Sequence, residues 1–137
     1  MDAIAAYRAA SEANDIDALV QTLAPDVELV SPLSGRLVFR GREDLRLLLG
    51  AVYGTLKGLR WGDVLGDGST QFMIGTMRVG PFRLDDAMVF ELGADGLIKR
   101  IRPHLRPWLA TTFFALALGP KIARRPGVML RALRGGA

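Results

Sequence analysis

Residues 71–104 read QFMIGTMRVGPFRLDDAMVFELGADGLIKRIRPH, and their punctuation decides the fold. Gly80-Pro81 and Gly93-Ala94-Asp95-Gly96 are turn signals, and they cut the stretch into runs rich in aromatic and β-branched residues. The runs predict strands over Gln71–Val79, Phe82–Leu92 and Leu97–His104. Upstream, Gly66-Asp67-Gly68 closes one more, Leu59–Leu65. Four strands joined by short turns make an antiparallel meander. Side chains alternate between the faces of a strand, so Asp86, Met88 and Phe90 share one face.

Working towards the N-terminus, the periodicity changes from two to three and four. Asp2 caps a helix over residues 2–13, with Ile4, Tyr7, Ala10 and Ser11 along one side. Asp15 caps a second helix through Ile16, Leu19, Val20 and Leu23, which Pro25 is expected to end. Val27–Val30 and Leu37–Phe39 read as short strands. Gly41-Arg42-Glu43-Asp44 opens a third helix, its acids placed where the helix dipole favours them. Leu45, Leu48, Leu49, Val52, Tyr53 and Leu56 form its apolar stripe, and Gly58 is the expected stop. The fold class is therefore α+β: a cone-shaped, curved antiparallel sheet wrapped around N-terminal helices. The hollow of such a cone is a natural small-molecule pocket.

Composition narrows the function. The chain has 137 residues, enough for one domain, and half of them are hydrophobic. With no cysteine there is no disulfide, thiolate zinc site or cysteine nucleophile. One histidine, His104, argues against a histidine-rich metal site, and no cofactor or metal is expected. Asp2 stands where a secretory leader carries a base, and a cytoplasmic location is expected.

Charge is split along the chain. From Lys99 onward there are nine bases and no acid, while the first 98 residues hold nine bases and 14 acids. Pro103 and Pro107 mark the exit from the sheet, so residues 1–106 are expected to form the cone domain and 107–137 a helical extension. Trp108–Leu118 reads as an apolar helix of 11 residues, against about 20 for a membrane span. Gly119-Pro120 is the expected break. The basic stretch Lys121–Arg134 reads most simply as a solvated helix on a docked tail, and it also suits peripheral contact with an anionic membrane surface or an acidic partner. Nucleic acid is not the expected partner, because no recognition motif accompanies the bases.

Several motifs resemble those of the nuclear transport factor 2-like superfamily, of SnoaL-like and ketosteroid-isomerase-like type. Asn14-Asp15-Ile16-Asp17 resembles its first helix junction. Leu23-Ala24-Pro25-Asp26-Val27-Glu28-Leu29 resembles its entry to the first strand. Phe39-Arg40-Gly41-Arg42-Glu43-Asp44-Leu45 resembles the start of its third helix, and Val89–Ile98 its last hairpin. The resemblance covers residues 1–106 and implies a homodimer.

It also implies a site to test. Ketosteroid isomerases pair an aspartate base with an oxyanion hole of a tyrosine and a protonated aspartic acid, the arrangement taken as a standard example of carboxyl tuning. Tyr7 falls at the tyrosine. Ser31, just before Pro32, falls where the base belongs, and serine accepts no proton near neutral pH without a partner. Met88 falls at the second acid, with Asp86 two residues away on the same face. Limonene epoxide hydrolase fits less well: Pro103 stands at its last-strand acid, only Arg78 is found of its Arg-x-Asp motif, and Arg83-Leu84-Asp85 lies on the wrong strand.

The expected function is binding of a hydrophobic small molecule, with cofactor-free acid/base chemistry of isomerase, cyclase, dehydratase or hydrolase type. Asp86 is the candidate acid/base, Tyr7 the hydrogen-bond donor and Ser31 a polar orienter. Trp61, Phe72, Met88, Phe90, Ile101 and Pro103 are the candidate ligand contacts, with Phe113 and Phe114 beside them. Each of these apolar residues serves equally well as plain core. His104, facing away if Ile101 and Pro103 face in, is set aside as a catalyst. The alternative is a non-catalytic binding or dimerisation module docked through its basic tail.

Overall fold

A computed structural model describes residues 2–135. The chain runs α1 (Ala3–Ala13), α2 (Ile16–Val20), β1 (Leu23–Val30), β2 (Val38–Arg40), α3 (Arg42–Thr55), β3 (Lys57–Asp67), β4 (Thr70–Val79), β5 (Phe82–Leu92), β6 (Ile98–Arg106), α4 (Trp108–Ala123) and α5 (Pro126–Gly135). The strands form one six-stranded sheet in the order β2-β1-β6-β5-β4-β3. The meander β3–β6 is antiparallel throughout, as its turns dictate. β1 joins it alongside β6 in parallel, which makes the sheet mixed, and β2 pairs antiparallel on the outer edge.

The inner face carries the core. On β5, Leu84, Asp86, Met88 and Phe90 are buried, and on β4 so are Met73, Met77 and Val79. Tyr7, Leu45 and Leu49 meet them from the helices. Burying each large apolar side chain contributes roughly 1.5–3 kcal/mol. A strand with three such residues can therefore hold one buried acid among them.

Three local readings give way to tertiary context. Pro25 does not end α2, which stops at Val20. It lies inside β1, where the ladder with β6 shifts register between Leu23 and Glu28. Proline lacks the N–H a regular ladder would use, and a bulge spares it that duty. Gly58 does not end α3: Leu56 turns to extended backbone first. Gly58 sits in β3 with φ of 65°, within another register shift, a conformation open to glycine. Gly119-Pro120 does not break the last apolar helix either. α4 continues through both to Ala123, held by buried Phe114 before them and Ile122 after. The carbonyl that Pro120 leaves unpaired belongs to Leu116, on the solvent side, where water can serve it.

The basic stretch is accordingly two pieces, the end of α4 and all of α5, separated at Arg124-Arg125. Arg131 grips Asp44 with two bonds of 2.9 Å. Asp44 is buried in the first turn of α3, so this pair fastens α5 to the body. Gly136 and Ala137, the end of the expected extension, lie outside the described residues. No helix among the described residues is long and apolar enough to cross a membrane.

Candidate functional site

A cavity of about 220 Å³ lies between the sheet and the helices. It exceeds the ~150 Å³ apolar hole that accepts benzene in an engineered protein, which sets the scale at one or two rings. Its floor is Leu84, Asp86 and Met88 of β5 with Pro103 and Leu105 of β6. One wall is Leu48, Leu49, Val52, Tyr53 and Leu56 of α3. Leu29, Ser31–Leu33, Leu37 and Phe39 close one end, and Phe114, Ala115, Leu118, Gly119, Ile122 and Ala123 of α4 with Met129 of α5 cover it. Among the described residues, only Ser31, Tyr53 and Asp86 bring polar side chains to this lining.

Asp86 is 6% exposed. Its Oδ1 accepts the backbone N–H of His104 across the β5–β6 ladder at 3.2 Å. Burial, which penalises the charged form, lifts its carboxyl from 3.8 to about 7, and the His104 N–H pulls weakly the other way. Such a group holds both protonation states near neutral pH, as an acid/base residue requires.

The tyrosine at the cavity is Tyr53 rather than the expected Tyr7. Tyr7 is fully buried and does not line the cavity. Its ring meets Phe90 edge-on at 5.1 Å, and its hydroxyl shares a 2.7 Å hydrogen bond with that of Tyr53. Tyr53 of α3 lines the hollow, and Tyr7 of α1 lies behind it. A pair of hydroxyls needs one proton for its own bond, so the other is available to a third group. Burial raises both phenols, and the nearby Asp86 charge raises them further. Neither tyrosine ionises near neutral pH, so the pair can donate but not act as a base.

Ser31 lines the mouth, with Oγ accepting the Leu33 N–H at 3.1 Å. Of the six candidate ligand contacts, Met88 and Pro103 line the cavity. Phe90 and Ile101 face the same way but are sealed in the core beneath α1. Trp61 is buried elsewhere on the inner face: its ring covers Gly75, and Nε1 donates to Ser11 Oγ at 2.8 Å. Phe72 faces out of the sheet, because alternation gives the inner face to Met73. Phe114 lines the cavity, whereas Phe113 packs tilted against Phe82, ring centres 5.0 Å apart. The His104 ring is exposed, with Nδ1 3.1 Å from the Ala87 carbonyl. Tyr53 was visible in sequence only as one more member of the α3 stripe. Its hydroxyl, which needs a partner when buried, was the available signal. No group of three or more metal-ligating side chains gathers among the described residues.

A family model described as the SnoaL-like domain matches residues 4–101. No curated protein matches the chain in sequence. The fold is similar to that of an uncharacterized bacterial protein with a cystatin-like fold from Silicibacter pomeroyi, at 20% identity, TM-score 0.88, with 95% of this chain and 93% of that one covered. It is similar to a steroid delta-isomerase from Pseudomonas aeruginosa, at 20% identity, TM-score 0.82, covering 91% and 92%. SalBIII, an epoxide hydrolase/cyclase-like enzyme of pyran ring formation in salinomycin, matches at 20% identity, TM-score 0.64, covering 76% and 88%. At such identities the likeness is one of fold.

Proposed function

Taking as premise that this chain belongs to the SnoaL-like domain family, we propose that it binds an apolar molecule of one or two rings and moves a proton on it. The observation that carries this reading is a single buried carboxyl, poised at about 7, in a wall otherwise almost wholly apolar. Asp86 as carboxylate takes a proton from a carbon next to a carbonyl. The Tyr53 hydroxyl, with Tyr7 behind it, donates a hydrogen bond to the developing enolate oxygen. Protonated Asp86 then returns the proton to the same or a conjugated carbon. The base thus sits on β5 and replaces the function that Ser31 cannot supply, leaving Ser31 to orient polar groups at the mouth. No electron acceptor or metal is needed for this sequence of steps.

The test uses a panel of apolar cyclic ketones in D₂O, with deuterium incorporation next to the carbonyl followed by NMR. Exchange is expected to depend on protein, to fall by about a hundredfold or more in Asp86→Asn, and to follow the Asp86 titration. Exchange that is equal in wild type and Asp86→Asn would sink the reading.

The proposal extends to a homodimer through the outer face of the sheet. Leu65, Phe72 and Ile74 stand there 49%, 37% and 50% exposed, and Leu65 and Phe72 are direct cross-strand partners. Sedimentation equilibrium with Ile74→Asp decides: the variant is expected to be monomeric.

A further inference from the structure

α4 covers the cavity with one face and leaves the other bare. Ala110, Phe114 and Ile122 are buried. On the opposite side Trp108 is 77% exposed, Leu116 72% and Leu109 50%. Thr112, Gly119, Pro120 and Ala123 continue the same exposed side at three- and four-residue steps. No charged residue interrupts it from Trp108 to Pro120. A water-facing surface of this kind, one helix long, is uncommon on a free monomer.

Its borders are basic. Arg106 precedes it, and Arg124 and Arg125 follow it, all three exposed. Among the described residues none of the three takes part in an ion pair. Residues 100–135 contain no acid. The cavity also reaches this side: Gly119 and Ala123 are exposed and yet belong to its lining, and Leu33, 55% exposed, does the same from across the mouth.

We propose that the bare face of α4 docks on an anionic lipid bilayer, with the cavity mouth turned towards the lipid. Apolar side chains enter the headgroup boundary while flanking arginines meet lipid phosphates, a division of labour typical of helices that lie in the interface. A second copy of the chain is a poorer occupant, because symmetric pairing along α4 would bring arginines against arginines. The docking surface stands on the exposed face of α4 and its flanking arginines, without the cavity. Its bearing on ligand supply rests on the cavity reading above, and the two fail separately, since vesicle binding and deuterium exchange are independent measurements.

The experiment is co-sedimentation of the full chain with phosphatidylcholine vesicles, with and without phosphatidylglycerol. Tryptophan emission is followed in parallel. Binding is expected only with the anionic lipid, and weaker at high salt. The emission should shift to the blue through Trp108, since Trp61 is already buried. Leu116→Glu is expected to abolish binding. The pair Arg124→Gln and Arg125→Gln should weaken it roughly 25-fold, at about fivefold per arginine. Three results would overturn the proposal: no binding, equal binding to neutral vesicles, or unchanged binding in Leu116→Glu. So would self-association that Leu116→Glu removes while vesicles are ignored.

Discussion

The floor of the cavity and the outer face of α4 are both apolar, yet they place their charge in opposite ways. Around Asp86 the charge is inside, single and acidic, with apolar side chains shielding it from water. On α4 the apolar surface is outside, and the charge is basic and confined to its borders. The first arrangement tunes a proton, because desolvation works on an enclosed carboxyl. The second cannot shift a pKa much, because water reaches every arginine, but it can meet a surface. Burial, rather than composition, separates the two.

The contrast predicts unequal responses to mutation. The largest belongs to the enclosed side: Phe90→Ala is expected to cost about 3–5 kcal/mol in chemical denaturation, since Phe90 is fully buried against Tyr7. A cost below about 1 kcal/mol would mean the core is looser than its packing implies. Next comes Asp86→Asn, with the opposite sign. Between 3.8 and about 7 the folded protein holds a proton on Asp86 that the unfolded chain has lost. Asp86 therefore makes stability fall as pH rises through that window, and its penalty is complete above about pH 7. Asparagine should flatten the curve and stabilise the protein there by up to about 4 kcal/mol. A stability profile with the same slope in both proteins would break the comparison at its centre.

A smaller loss is expected from Tyr53→Phe. It leaves the Tyr7 hydroxyl buried without its 2.7 Å partner, at about 1–3 kcal/mol, and removes the donor at the cavity wall. Thermal unfolding measures the first effect and deuterium exchange the second. Smallest of all is Trp108→Ala on the open face, which should stay within about 0.5 kcal/mol of wild type in the same denaturation assay.

What sequence could and could not reveal follows the same division. The meander was legible because its turns are marked by glycine and its strands alternate, and both are local facts. Alternation also placed Asp86 beside Met88 on the inner face. The resemblance to ketosteroid isomerases singles out Tyr7, but its place behind Tyr53 depends on tertiary packing, which no periodicity encodes. Trp61 and Phe72 were grouped with the pocket by residue type. Their actual positions depend on strand parity and on Gly75, where a Cβ would come within 2.6 Å of the indole. Pro25, Gly58 and Pro120 each carry a strong local stop signal. The structure places each inside a strand or helix: the prolines at a bulge or a solvent-side turn where the missing hydrogen bond costs little, and Gly58 at a bulge with positive φ.

The hollow takes its lining from residues as far apart as Leu29 and Met129. The ribosome releases the first of these about a hundred residues before the last. A chain that ends before α4 lacks the side chains that cover the hollow, so the ligand proposed above would find its full pocket only once the last helices have left the ribosome.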